Sequence, residues 1–147
     1  MTAPEGLSSE AWTRMLRLHP LRERLWLYYP PGQPAQFQML RVCDRTGWDA
    51  ATLSWSTCGP CDQGRIWKIS ISDHWQRQGL GRRMILRAMR GADGYHWTTT
   101  HQSPDGKRFF SALSRETGAS FITQKADCEH INARGRTFGV KPKLERP

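Results

Sequence analysis

The feature that most constrains this chain is a change of hydrophobic period across a glycine-rich turn. Residues 65–71 alternate as a strand does, with Ile69 and Ile71 on one side. From residue 79 to residue 90 the apolar residues instead recur at helical spacing, and arginines occupy much of the remaining surface. A strand, a tight turn and a helix in direct succession indicate an α/β unit.

The neighbouring segments predict one mixed sheet. Residues 36–43, 50–56 and 65–71 have strand character and are separated by hairpin-length turns, which predicts an antiparallel meander. Residues 95–100 form the next predicted strand, and the intervening helix makes a right-handed βαβ crossover with a parallel strand pair. Residues 24–29 are rich in strand formers but ambiguous. The predicted class is therefore α/β with a mixed sheet.

The N-terminal residues 1–20 predict a helix. Within them, residues 7–18 have an amphipathic pattern, Ser8 or Ser9 provides a cap, and Pro20 stops the helix.

The second half of the chain predicts a helix, a short strand and a tail. Residues 103–116 read as a helix, and residues 120–123 as a last strand with a partner near Ile131. The basic, proline-containing residues 136–147 are expected to be disordered. We expect a single domain over residues 1–147, because this length suits one hydrophobic core.

Charge and composition narrow the classes of partner. The net charge is +9, and residues 61–147 carry sixteen Lys/Arg against eight Asp/Glu. This excess favours anionic partners such as nucleotide phosphates, coenzyme A, nucleic acid or an acidic protein. The sequence has neither a long apolar run nor a signal-peptide pattern, so we expect a cytoplasmic protein with no membrane association.

The glycine-rich turn has the features of an anion-binding site. The first backbone N–H groups of a helix have no intrahelical partner, and the helix dipole adds positive potential there. Gly79 and Gly81 carry no side chain, so an anion can approach the backbone. Arg77, Arg82 and Arg83 offer charge-assisted hydrogen bonds. The short pattern alone fits equally well a helix N-terminus that happens to contain glycines.

In its wider context the turn resembles the GNAT superfamily of N-acyltransferases. The hallmark of that family is Gln/Arg-x-x-Gly-x-Gly/Ala at the start of a helix that follows a strand, and Gln76, Gly79 and Gly81 match it. Ile69 and Ile71 match the apolar positions of the preceding strand. The resemblance implies that this strand pairs with the pantetheine arm of acetyl-CoA, that the turn wraps the pyrophosphate, and that a bulge splays the two parallel strands.

A second stretch resembles the family in spacing but not in its polar residues. The family pattern Asn-x-x-Ala-x-x-aliphatic-Tyr falls on Ser103, Gly106, Phe109 and Phe110. Phe110 has no hydroxyl with which to protonate a departing thiolate. The resemblance implies the following acetyl-CoA-binding residues: Ile69, Ser70, Ile71, Gln76, Arg77, Gln78, Gly79, Leu80, Gly81, Arg82, Ser103 and Phe110.

The resemblance also implies direct attack of an amine on the thioester. We expect the oxyanion to be held by a backbone N–H near Ile71. His101 is a candidate for a chemical role, and Ser111 is a candidate to replace the missing phenol. Other side chains weighed for proton transfer are Asp73, His74, Tyr95 and Glu116.

The cysteines suggest a separate metal site. Cys58 and Cys61 have the spacing of a zinc knuckle, and Cys128 and His130 could complete a Cys₃His set. The alternative is free thiols in a turn.

The favoured function is an N-acetyltransferase that uses acetyl-CoA and an unidentified amine acceptor, in a chain that could form a homodimer. One alternative is a basic, zinc-stabilised protein associated with nucleic acid. Another is a degenerate GNAT domain that binds acyl-CoA without strong turnover, which the phenylalanine at position 110 motivates.

Overall fold

The computed structural model describes residues 2–76, 78–123, 128–134 and 141–145, without the side chains of His74, Ala133 and Arg134. The helices in these residues are α1 (Ser9–Leu18), α2 (Leu80–Ala88), α3 (Pro104–Thr117) and α4 (Glu129–Arg134). The strands are β1 (Leu25–Tyr29), β2 (Gln38–Cys43), β3 (Asp49–Cys58), β4 (Gln63–Ile71), β5 (His96–Thr99), β6 (Ile122–Thr123) and β7 (Lys143–Glu145). None of the described helices is long and apolar enough to cross a membrane.

The strands form one mixed sheet in the order β6-β5-β4-β3-β2-β1-β7. Strands β1 to β4 are an antiparallel meander, with short hairpin turns between β2 and β3 and between β3 and β4, and a longer loop over residues 30–37 between β1 and β2. Helix α2 then carries the chain over to β5, which pairs parallel with β4, and β6 pairs parallel with β5. The predicted mixed α/β class, a meander followed by a βαβ crossover, is confirmed.

Alternating side chains give the sheet two apolar faces, each covered by helices. Helices α2 and α3 pack on one face, where Trp55 and Trp97 are each 1% exposed. Helix α1 packs on the other face through Trp12 and Leu16, and the hydroxyl of Ser8 caps it by accepting the Ala11 amide at 3.0 Å. Each such large side chain contributes about 1.5–3 kcal/mol by burial.

Two predictions about the C-terminal region are wrong. Ile131, expected near a strand pairing, lies in α4 and is 1% exposed. The tail over residues 136–147, expected to be disordered, contains β7, which pairs antiparallel with β1, while residues 136–140, 146 and 147 lie outside the described residues. The pairing is supported by a hydrogen-bonded ion pair between Arg87 of α2 and Glu145 of β7, at 2.6 Å. Both elements depend on distant partners, which local sequence patterns do not reveal.

The parallel strands β4 and β5 separate at a bulge in β4. Trp55 pairs with Ile66 and Ser54 pairs with Lys68, so the strand register skips Trp67, which is the extra residue of a β-bulge. Pairing of β4 with β5 spans Gln63–Ile66 of β4 only. Beyond the bulge the two strands diverge, as the resemblance implied, and the space between them forms the groove described next.

Candidate functional site

Two adjoining cavities occupy the groove between β4 and the segment that leads from β5 into α3. The larger, of about 570 Å³, lies between β4, the α2 N-terminus and the first turn of α3. The smaller, of about 280 Å³, lies at the bulge and is lined by Trp67, Thr100 and His101 among others. Both are lined by Ile69, Ser103 and Gly106, so they form one continuous groove.

The N-terminus of α2 opens into the larger cavity. Gly79 precedes the helix in a left-handed conformation, with φ of 73°, which glycine adopts without strain. The amide of Arg83 donates to the Gly79 carbonyl at 3.1 Å, so the amides of Leu80, Gly81 and Arg82 precede the first intrahelical bond. These N–H groups and the helix dipole together favour an anion.

Gly81 allows close packing beneath this helix end. A Cβ placed there would lie 2.9 Å from Cδ1 of Ile71 and 3.1 Å from Cε1 of Phe109. A Cβ at Gly79, by contrast, would meet nothing within 4 Å. Gly79 therefore leaves the approach to the backbone open, whereas Gly81 lets α2 contact β4 and α3.

Gln76 fastens the turn between β4 and α2. Its Nε2 donates to the Ile71 carbonyl at 3.0 Å and to Asp73 Oδ1 at 3.2 Å, so both groups are engaged in the turn. Gln76 also lines the larger cavity. The side chain of Gln78 instead accepts a hydrogen bond from Arg24. The predicted site residue Arg77 lies outside the described residues.

The backbone beyond the bulge of β4 faces the groove at alternate residues. The amide of Ser72 donates to the Ala50 carbonyl at 2.9 Å, which directs the polar groups of Ser72 towards β3. Because backbone polar groups alternate along a strand, those of Ile71 and Ile69 are directed towards the groove. The Ser70 side chain is exposed on the opposite face of the sheet.

Charged groups on the rim partly neutralise each other. Arg82 at the mouth makes a two-point ion pair with Glu116 of α3, with N–O distances of 2.7 and 2.8 Å. This hydrogen bond with Arg82 lowers the pKa of Glu116 and raises that of Arg82. Asp105 also lines the larger cavity and pairs with Arg108. Glu116, weighed above for proton transfer, is thus held by an arginine.

The candidate catalytic side chains lie in different places. His101 is exposed and lines the smaller cavity. Ser111 is exposed on α3 and is not among the residues that line either cavity. Phe110 lines the smaller cavity but belongs to the core, with its ring 5.3 Å from that of Phe121.

Ser103 ends the loop between β5 and α3 by capping the helix, and its hydroxyl accepts the Gly106 amide at 3.1 Å. Sequence reasoning missed the polar residues Thr99, Thr100 and Gln102 of the smaller cavity. Gln102 Nε2 donates to Thr99 Oγ1 at 2.7 Å and fixes this wall. The sequence did contain a signal for them, because these residues lie at and just after the carboxyl end of a predicted parallel strand, where ligands commonly bind.

The four predicted metal ligands lie together where β3 ends and β4 begins. The Sγ atoms of Cys58, Cys61 and Cys128 and a ring nitrogen of His130 all lie within 4.8 Å of one another. In this cluster a hydrogen bond with Cys58, with further contributions from desolvation and from Cys128, raises the pKa of Cys61 to about 11. The fourth cysteine, Cys43, is buried elsewhere.

No protein-family model and no curated protein sequence matches this chain at a significant level. Several solved structures are similar to it, including the following two. One is a putative acetyltransferase from Deinococcus radiodurans R1: identity is 13%, the match covers 90% of this chain and 76% of that chain, and the TM-score is 0.48. The other is the putative N-acetyl transferase YhhK from E. coli bound to coenzyme A: identity is 15%, coverage is 82% of this chain and 88% of that chain, and the TM-score is 0.44. Neither likeness assigns a role to any residue of this chain.

Proposed function

We propose that this protein is an N-acetyltransferase that uses acetyl-CoA. The observation that carries the proposal is a combination within one groove. Two parallel strands part at the Trp67 bulge, and the N-terminus of α2 opens into the same space. The turn there has the Gln76-x-x-Gly79-x-Gly81 pattern that resembles the GNAT superfamily.

The groove has groups that suit the pyrophosphate and the pantetheine arm of a coenzyme A thioester, and space for the thioester itself. The free amides of Leu80, Gly81 and Arg82 would bind the pyrophosphate, with the Arg82 guanidinium as a further donor. The carbonyl of Ile69 and the amide of Ile71, directed into the groove, would pair with the amides of the pantetheine arm, because the Ile71 carbonyl already accepts a hydrogen bond from Gln76. The thioester would then lie near the smaller cavity at the bulge.

The reaction would be direct acyl transfer. The amine nitrogen bonds to the thioester carbonyl carbon, the carbon–sulfur bond breaks, and the electron pair leaves with sulfur as coenzyme A thiolate. The amide of Ile69, which is directed into the groove at the smaller cavity, would stabilise charge that develops on the carbonyl oxygen. Ile71, predicted for this role from the sequence, lines only the larger cavity. The amine loses one proton, and the thiolate gains one.

Phe110 cannot supply that proton, so another group must move it. His101 lines the smaller cavity, and histidine both accepts and donates protons near neutral pH. We propose His101 for this role, directly or through water. Ser111 is a weaker candidate because of its place on the exposed surface of α3.

A calorimetric titration with acetyl-CoA tests binding in the groove. Ile69→Glu places a carboxylate among the groove residues, whereas Ser70→Glu places the same charge on the opposite face of the sheet. We expect wild type and Ser70→Glu to bind alike and Ile69→Glu to bind at least about tenfold more weakly, equivalent to 1.4 kcal/mol. Equal binding by the two variants, or no binding by wild type, would refute the site.

Turnover is tested separately by measuring release of free coenzyme A thiol with a panel of small amines and peptides. We expect release to depend on the amine and to fall in His101→Gln, while Ser111→Ala retains the wild-type rate. Binding without amine-dependent thiol release from any acceptor would instead support the degenerate, acyl-CoA-binding alternative. In that case the binding site stands and the catalytic proposal fails.

A further inference from the structure

The cluster of Cys58, Cys61, Cys128 and His130 lies outside the groove and is not used by the proposed reaction. Cys58 is the last residue of β3 and Cys61 lies in the turn to β4, whereas Cys128 directly precedes α4 and His130 lies in its first turn, about seventy residues later. Three thiols and an imidazole from such distant segments converge on one small space.

The spacing of these groups matches tetrahedral zinc. With Zn–S near 2.3 Å and Zn–N near 2.0–2.1 Å, a tetrahedron has S–N edges of about 3.6 Å and S–S edges of about 3.8 Å. The distances from His130 Nδ1 to the Sγ atoms of Cys58 and Cys61 are 3.5 and 3.3 Å. All four ligand atoms lie within 4.8 Å of one another.

We propose that Cys58, Cys61, Cys128 and His130 bind one Zn²⁺ ion as a structural site. Four protein ligands complete a tetrahedron and leave no open position for a water or a substrate, which is the arrangement of structural rather than catalytic zinc. On binding, each coordinating thiol loses its proton, so the ion displaces up to three protons. The neutral imidazole coordinates through Nδ1.

Neighbouring groups hold the ligands in place. The Cys128 amide donates to Oε1 of Gln63, the first residue of β4, at 2.7 Å. One turn into α4, Ile131 packs into a small apolar cluster with Cys58 and Ala35. The segment that carries Cys128 and His130 is therefore already docked on the β3–β4 end of the sheet, which favours metal binding.

The site also connects to the groove. Trp67, the extra residue at the bulge, packs against the Ala35–Cys58–Ile131 cluster and also lines the smaller cavity. Zinc would keep α4 packed against Trp67. It would thereby stabilise the part of the smaller cavity that Trp67 lines, where β4 and β5 separate. Metal binding itself does not depend on which substrate the groove accepts.

The direct test is the metal content of the untagged full-length protein, produced with zinc supplied and measured by elemental mass spectrometry. We expect about one zinc ion per chain in wild type and in Cys43→Ser, whose cysteine lies outside the cluster. Cys61→Ser and Cys128→Ser should each lose most of the zinc. Trace zinc in wild type, or equal zinc in all four proteins, would overturn the proposal.

A second measurement covers variants that fail to fold. Cobalt(II) added to chelator-treated wild type should give the intense visible absorption and thiolate-to-metal bands of a tetrahedral thiolate site. Zinc should then displace cobalt, and the midpoint of thermal unfolding should rise with added zinc. Absence of these bands, or a disulfide between Cys58 and Cys61 in protein isolated without oxidant, would refute the zinc site.

Discussion

The hydroxyl of Thr100 donates a 2.9 Å hydrogen bond to the carbonyl of Trp67, at the point where β4 and β5 cease to pair. The Thr100 amide donates to the carbonyl of Ile66, the residue before Trp67 in β4, at 3.2 Å. The side chain thus satisfies a carbonyl that the bulge has turned out of the regular ladder. Thr100 fixes where the groove begins.

Thr100→Val should therefore destabilise the bulge, because valine has nearly the same shape as threonine but lacks the hydroxyl. Loss of the hydroxyl leaves the Trp67 carbonyl without this partner, so we expect the free energy of unfolding to fall by about 0.5–1.5 kcal/mol. Acetyl-CoA binding should weaken as well, because the groove starts at this residue. Chemical denaturation and calorimetry measure the two effects. The control is Thr52→Val in β3, whose side chain lies on the face of the sheet away from α2 and α3. An equal loss of binding in this control would contradict the prediction.

Arg82 is shared between the groove mouth and Glu116. Both side chains are exposed, at 51% and 41%, so water and salt screen their ion pair. Glu116→Gln frees the guanidinium, and we expect acetyl-CoA to bind severalfold more tightly at low salt, with the gain disappearing at high salt. Arg82→Gln should weaken binding. Glu10→Gln on α1 makes the same charge change far from the groove, and a similar gain there would assign the effect to net charge.

The Arg87–Glu145 pair should make stability depend on pH. Arg87 lies over the Tyr28 ring at 4.5 Å and holds the Glu145 carboxylate with bonds of 2.6 and 3.0 Å. This pairing lowers the pKa of Glu145. The lowered pKa in the folded state means that the contribution is complete above the ordinary glutamate pKa of about 4.3. It is lost as pH falls through the folded value.

We expect Glu145→Gln to lower the free energy of unfolding by about 1–2 kcal/mol at pH 7. The difference from wild type should shrink below pH 4.3 or so and vanish in stronger acid. Urea denaturation across this range measures it, with the exposed Glu23→Gln as control. A difference that stays constant with pH would show that packing, not charge, accounts for the loss.

Cys43 should resist alkylation in the folded protein. Burial raises the pKa of its thiol to about 12, and its Sγ lies 3.8 Å from the Leu25 carbonyl. At pH 8 the reactive thiolate is therefore far rarer at Cys43 than in an ordinary exposed cysteine. Mass spectrometry after iodoacetamide treatment should find Cys43 unmodified until denaturant is added. Rapid modification of the native protein would show that this part of the sheet opens readily.

The order of elements from β2 to α3 could be predicted because each step has a local cause. Alternation marks β4, the glycines at 79 and 81 mark the turn, and helical spacing marks α2. Ser103, whose predicted role was cofactor binding, caps α3, a role its position before a proline also favours. These signals all act within a few residues.

The remaining features depend on contacts between distant residues. The Trp67 bulge appears only when β3 and β4 are paired, because one extra residue has no signature in a single strand. The packing of Gly81 against Phe109 joins two helices that are separate in sequence. Likewise, the three residues of β7 form a strand because β1 offers an unpaired edge, not because their own pattern requires it.

That last strand also determines what the sheet presents to other molecules. The edge strands of the described sheet are β6, with two residues, and β7, with three. Such short edge strands discourage edge-to-edge association with another sheet. The neighbour of β7 in the sheet is β1, whose sequence Leu-Trp-Leu-Tyr-Tyr is apolar, aromatic and uncharged. Proteolytic removal of β7 would uncover a strand suited to intermolecular β-pairing, so the C-terminal residues also protect the protein from aggregation.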